Sequence, residues 1–138
     1  MALSKKSLEL LKDAHPDLAR LVVEVEKRMA CVVTCTHRTK EEQDKAFRGK
    51  FSTLAWPKSK HNLYPAYAVD LAPYSAEPPH IRWQDIEAFK KLGAVVKEVA
   101  EEMGLEISWG GDWKTFKDYP HFELSERPMK PAYKKPTS

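Results

Sequence analysis

Residues 59–73 read Ser59-Lys-His-Asn-Leu-Tyr-Pro-Ala-Tyr-Ala-Val-Asp-Leu-Ala-Pro73. The first half is a polar, proline-containing loop with one imidazole, His61. The second half, Ala68 to Leu71, is a short apolar strand with a single carboxylate inside it, Asp70, and it is closed by Pro73, which cannot donate to a sheet ladder. The same design recurs downstream, where Asp118-Tyr-Pro-His121 leads into a strand bearing Phe122, Glu123 and Leu124. Upstream, Ala30-Cys-Val-Val-Thr-Cys-Thr36 is apolar and β-branched, the signature of a buried strand. Glu106 to Trp109 makes a fourth short strand, separated from the last by a Gly-Gly turn.

Helical periodicity fills the space between these strands. Leu8, Leu10 and Leu11 belong to a first short helix, and Leu18, Leu21, Val22, Val25 and Met29 follow Pro16 in a second, with the proline near the first turn. Thr39-Lys-Glu-Glu42 has the form of a capping box opening a third helix through about Arg48. Gly49 to Lys60 reads as loop, and Pro78-Pro79 excludes regular structure there. From Trp83 to Met103, Ile86, Phe89, Ala94, Val95, Val99 and Met103 trace one face of a long helix that Gly104 stops. This order predicts an α+β fold with a small, mostly antiparallel sheet flanked by helices. One domain over 1–138 is expected, with its core at about 4–126 and a basic, Pro-rich, irregular tail at 127–138.

The totals narrow the function. A chain of 138 residues with 42% hydrophobic and 31% charged residues has the composition of a globular domain. No apolar run is long enough to span a bilayer, and the N-terminus lacks the apolar core of a signal peptide. The net charge of +3 comes largely from Lys130, Lys134 and Lys135. It implies weak attraction to an anionic surface and not a nucleic-acid footprint. Four strand residues separate the α-carbons of Cys31 and Cys35 by roughly 13 Å. A disulfide needs less than about 7 Å, so both are expected as reduced, buried thiols.

His61, Asp70 and His121, carried toward one another by neighbouring strands, make two imidazoles and one carboxylate, a three-donor set that leaves a position open on a zinc ion. Taken singly, each of these residues has ordinary structural explanations. No His-Glu-x-x-His helix and no Cys-x-x-Cys pair is present.

The blocks together carry more. Ser59-Lys-His61 with Ala68-Val-Asp70-Leu-Ala-Pro73-Tyr74, Trp109-Gly-Gly-Asp-Trp113, and Asp118-x-x-His121-x-Glu123-Leu124 resemble the D-alanyl-D-alanine carboxypeptidase and VanY-type metallopeptidases. Among these they most resemble phage endolysins that act as L-alanyl-D-glutamate peptidases. Thr34-x-x-His37-Arg38 with Glu42-Gln43, and Trp83-x-Asp85-x-x-Ala88-Phe89, extend the likeness over about residues 30 to 125. One departure stands out: the common motif has a glycine and six residues between its His and Asp, whereas here eight intervene, Asn62 to Val69, with Pro65 among them.

The resemblance implies the hedgehog/DD-peptidase-like fold, one Zn²⁺ held by His61, Asp70 and His121, and Asp118 as general base and acid. It implies Arg38 as a stabiliser of the oxyanion; the alternative is a surface arginine paired with Glu41 or Glu42. Ser59 is a substrate-binding candidate or else a turn former. Glu123, on the same strand face as His121, is a partner that orients the imidazole and a reserve for the catalytic carboxylate. Trp109 is a candidate for substrate binding, with Trp113 and Asp112 beside it, the alternative being packing. His15, His37 and His80 lie off the ligand positions, and His80 is expected to be exposed.

The implied function is hydrolysis of the L-alanyl-D-glutamate bond of peptidoglycan stem peptides in phage-driven lysis. The enzyme is expected to be a monomer without stable membrane insertion, made in the host cytoplasm and acting on the wall after a holin gives access. The rivals are a D,D-carboxypeptidase or dipeptidase of wall metabolism, and a non-catalytic wall-binding module.

Overall fold

A computed structural model describes residues 3–126, 128 and 131–136. Helix α1 is Lys5–Leu11, started by the Ser4 hydroxyl, which accepts from the Ser7 amide. Helix α2, Pro16–Arg28, begins with its proline at the first position, where a missing N–H costs nothing. Helix α3, Lys40–Arg48, opens on the expected capping box between Thr39 and Glu42. Helix α4 is Ile86–Met103, three residues shorter at its start than the apolar pattern suggests. The Asp85 carboxylate there accepts from the Ala88 amide and sets the first turn, and Gly104, at φ 71°, ends the helix in the left-handed region.

The strands are β1 Cys31–Cys35, β2 Ala68–Pro73, β3 Ile107–Trp109 and β4 His121–Leu124. They form one sheet in the order β1-β2-β4-β3, each neighbouring pair antiparallel. Leu18, Leu21, Val22 and Val25 of α2 and Leu92, Val96 and Val99 of α4 close over the sheet residues Val33, Val69, Leu71 and Phe122. Each fully buried leucine or valine contributes about 1.5–3 kcal/mol by leaving water, so this face holds the sheet rigid beneath the opposite one.

Register is what positions the site. Asp70 of β2 lies opposite Cys35 of β1 on one side and opposite His121 of β4 on the other. Directly opposed residues have Cβ atoms about 4.5–5.5 Å apart on the same sheet face, so these three side chains form one row. The register shift between Val33 and Cys35 brings Cys35 to that level.

Among the described tail residues, Ala132 bridges to Tyr64, the Tyr133 ring meets Trp56 at 5.4 Å, and Lys135 pairs with Asp13. These described residues are irregular yet docked, and the Lys135 charge is partnered within the chain. Arg127, Met129, Lys130, Thr137 and Ser138 lie outside the described residues. No helix among the described residues is long and apolar enough to cross a membrane.

Candidate metal centre and cleft

His61 is carried on a short 3-10 turn, Lys60–Asn62, that exists because Ser59 caps it. The Ser59 hydroxyl accepts from the His61 amide at 3.2 Å, and Asn62 Oδ1 accepts from the Ser59 amide at 3.2 Å. The turn is anchored to the strand-exit segment of β1 twice: the Arg38 amide donates to the His61 carbonyl at 2.8 Å, and His61 Nδ1 lies 2.6 Å from the Thr36 carbonyl. A carbonyl only accepts, so Nδ1 carries the proton and Nε2 is the nitrogen left for another partner. That partner is Asp70 Oδ1, at 3.1 Å.

His121 is arranged in the complementary way. Its Nε2 lies 2.7 Å from Glu123 Oε1, two residues along the same strand face, and its Nδ1 lies 3.4 Å from Asp70 Oδ1. Asp70 Oδ1 therefore stands between two imidazole nitrogens whose opposite ring positions are both tied down. Donors about 2.0–2.1 Å from a tetrahedral zinc stand about 3.3 Å from one another, close to the two separations seen here. Two imidazoles and a carboxylate are donor types that zinc takes, and Asp70 is within reach of both rings.

A second donor group overlaps this one. Cys35, His61 and Asp70 offer ligand atoms that all lie within 4.8 Å of one another. Sequence reading missed Cys35, whose place depends on the strand register. Its Sγ lies 3.7 Å from His61 Nδ1, the nitrogen already held by Thr36, whereas Asp70 meets Nε2. The two nitrogens of an imidazole point in diverging directions, so Cys35 and the Asp70–His121 pair address different sides of the His61 ring. Both cysteines are free thiols, as expected, but only Cys31 is fully buried, and burial pushes its pKa up to about 12.

Charge is concentrated in this row. Burial pulls His61 down, but the Asp70 carboxylate and the nearby Cys35 outweigh it and raise the imidazole to about 10. Burial would lift Asp70, yet the two histidines hold it well below the usual carboxylate range. Burial likewise lowers His121, and hydrogen bonds to Asp70 and Glu123 raise it above the ordinary value. Glu123, against the cost of its own burial, is held at about 2 by His121 and Lys60. Asp118 moves the other way: burial first, and then the negative charge of Asp70, raise it.

The row opens into a cleft lined by Arg38, Ser59, His61, Asp118, His121 and Glu123, with Phe51, Leu54, Trp113 and Phe116 along its walls. Phe51, Leu54 and Phe116 are exposed there. Arg38 Nη2 lies 3.5 Å from Asp70 Oδ2, and Nη1 donates to Gln43 Oε1 at 3.1 Å. The alternative pairing with Glu41 or Glu42 is not what Arg38 makes among the described residues, and Glu42 is engaged by the Thr39 amide at 2.9 Å. Gln43 belongs to the blocks that carry the family likeness, but the sequence assigned it no role. Fully buried, it also accepts from Asn62 at 3.2 Å and donates to the Leu54 carbonyl at 2.6 Å, joining α3, the His61 turn and the cleft wall.

Trp109 does not line this cleft. It is 8% exposed, its ring is stacked on Phe122, and its Nε1 donates to the Tyr119 carbonyl at 2.8 Å. Its strand ends in the core, so packing explains it; Trp113, whose ring lies 5.2 Å from that of His121, takes the place at the cleft. Asp112 is at the surface, paired with Lys97 at 2.5 Å. Ser59 is buried and acts as the turn former while also meeting the cleft. His15 caps α2, His37 packs on Tyr64, and His80 is exposed and stacked on Tyr74, all away from the row.

An antiparallel α+β sheet that lines up imidazole and carboxylate donors beneath an open cleft, with a carboxyl group and a guanidinium at its walls, has the build of a small metallopeptidase. The sequence model described as "Phage L-alanyl-D-glutamate peptidase" matches residues 1–127, and the chain belongs to that family. It is 32% identical over 107 residues to the peptidoglycan L-alanyl-D-glutamate endopeptidase CwlK of Bacillus subtilis, an alignment covering 71% of this chain and 62% of that protein. It is 27% identical over 121 residues to the L-alanyl-D-glutamate peptidase of Escherichia phage T5, covering 88% and 85%. The crystal structure of the Serratia marcescens L-Ala D-Glu endopeptidase ChiX superposes with a TM-score of 0.78 at 28% identity, over 91% of this chain and 90% of that one.

Proposed function

We propose that this chain hydrolyses the L-alanyl-D-glutamate bond of peptidoglycan stem peptides, using one zinc ion held by His61, Asp70 and His121. The observation that carries the metal assignment is the shared Asp70 Oδ1, 3.1 Å from one imidazole nitrogen and 3.4 Å from the other. Zinc, when bound, supplies Lewis acidity and makes water a competent nucleophile near neutral pH.

The chain's own groups do the rest. Asp118, raised by burial, is suited to take a proton from the attacking water and return it to the departing amine. Arg38 brings a permanent positive charge to the cleft, where the oxyanion of a tetrahedral intermediate develops. Gln43 and Asp70 hold its guanidinium in place, so little reorganisation is needed as that charge appears. The apolar side chains of Phe51, Leu54, Trp113 and Phe116 along the walls offer contact to the apolar parts of the stem peptide.

Family membership supports a phage peptidase that acts on the wall; synthesis in the host cytoplasm, action as a monomer and access through a holin complete this proposal. Digestion of purified peptidoglycan followed by mass spectrometry tests the bond. New N-terminal D-glutamate is expected and should vanish with a chelator. Released D-alanine in its place would establish the D,D-carboxypeptidase, and an Asp118→Ala variant that keeps its biological activity would establish a binding module.

A further inference from the structure

Lys60 stands between the cap Ser59 and His61. Its Nζ lies 2.8 Å from Glu123 Oε2, 2.6 Å from the Leu124 carbonyl and 3.2 Å from the Ser125 carbonyl. An ammonium has three N–H donors, so these three acceptors account for all of them. The side chains of Lys60 and Glu123 are only 13% and 19% exposed, which separates this pair from the solvated surface pairs that contribute little.

Glu123 is thereby held at both oxygens: Oε2 by Lys60, Oε1 by His121 Nε2 at 2.7 Å. A carboxylate bound at one oxygen alone swings about its last torsion, which is soft. Bound at both, and with the ammonium itself pinned to two backbone carbonyls, its plane is set. We propose that Lys60 is a positioning residue for the metal centre, locking Glu123 so that His121 keeps its proton on Nε2 and presents Nδ1 beside Asp70. The residue next to one histidine donor thus fixes the orientation of the other, across the gap between the His61 turn and β4. This inference rests on the zinc reading proposed above.

A rival role is purely structural: Lys60 ties the turn to the end of β4 through the Leu124 carbonyl, and Glu123 is incidental. A double-mutant cycle on the zinc dissociation constant of the full chain, measured by competition with a chromophoric chelator, separates the two. Lys60→Met and Glu123→Gln should each weaken zinc binding about 10–100-fold, the usual range for groups behind a ligand. The double variant should bind no more weakly than Glu123→Gln alone. Lys60→Arg, whose guanidinium still pairs with a carboxylate, should restore most of the affinity.

If Lys60→Met fails to fold by circular dichroism, Lys60→Gln, which keeps a donor for the carbonyls but no charge, takes its place in the cycle. Effects that multiply in the double variant, or a Lys60→Met or Lys60→Gln variant binding zinc within about twofold of wild type, overturn the proposal. A wild-type chain without zinc affinity overturns the metal reading itself, and is told apart because the failure precedes any substitution.

Discussion

Gly110 lies so close to Asp118 that a Cβ added to it would stand 2.2 Å from the Asp118 carbonyl oxygen and 2.9 Å from its Cβ. The Asp118 amide also donates to the Gly110 carbonyl at 3.0 Å. Only glycine allows this approach, and the contact is backbone to backbone, so it cannot be relieved by turning a side chain. Gly110→Ala should therefore displace Asp118 from the cleft. A misplacement of about 1 Å at such a group costs about 10²-fold, so kcat should fall by that order while zinc content stays at one per chain. Unchanged kcat would show that Asp118 is not held through Gly110.

Asp118→Asn keeps the shape of the side chain and removes the proton acceptor. The turnover of a muropeptide should drop by about 10²–10⁴-fold, with zinc still bound by elemental analysis. Loss of zinc together with activity would instead make Asp118 a ligand.

The two overlapping donor groups make opposite forecasts. If His61, Asp70 and His121 hold the ion, His121→Ala should lose zinc on dialysis, whereas Cys35→Ser should retain it and most of the activity. Zinc that survives His121→Ala and is lost in Cys35→Ser would reassign the site to Cys35, His61 and Asp70.

Protonation and metal compete for His61 Nε2. The imidazole is raised to about 10, above an unfolded value of about 6.5, so its contribution to the stability of the zinc-free chain is complete below about pH 6.5 and lost as pH rises toward 10. Asp70 is depressed, so its contribution is present above about pH 3.9 and lost on acidification. Zinc must displace the His61 proton, so its affinity climbs over the interval in which the zinc-free chain weakens. The gap in Tm between zinc-loaded and chelator-treated protein should be wider at pH 9 than at pH 6. An equal or narrower gap at pH 9 would rule out this competition.

Trp109 and Trp113 should part company. Trp109→Ala removes a buried ring stacked on Phe122 and should cost about 3–5 kcal/mol of stability, read from denaturant unfolding. Trp113→Ala, at the cleft wall, should raise KM and shift stability by no more than about 0.5 kcal/mol. A stable Trp109→Ala variant with a raised KM would return that residue to the cleft.

Much of the architecture is legible in the chain because its signals are local. The Thr39–Glu42 capping box, Pro16 at a helix start, Gly104 at a helix end and the β-branched run of β1 each act through the backbone within a few residues, and each forms the element expected of it. Glu123 was legible as the partner of His121 for the same reason, since residues two apart on a strand share a face. What stayed illegible shares a cause. Trp109 looks like a cleft residue beside its glycines until the core closes on it, and nothing near Arg38 in sequence names Asp70 as its partner until β2 brings that carboxylate within reach.

Order and type of the secondary-structure elements, together with the residues able to bind a metal or move a proton, were written in the amino-acid pattern. Which of those groups meet was decided by the fold. Strand register put Cys35, Asp70 and His121 in one row, the Ser59-capped turn swung His61 against it, and burial turned their mutual charges into shifts that solvent would have screened. Capping and periodicity act over a turn or a strand, whereas convergence of donors from segments up to 86 positions apart exists only once the sheet has paired.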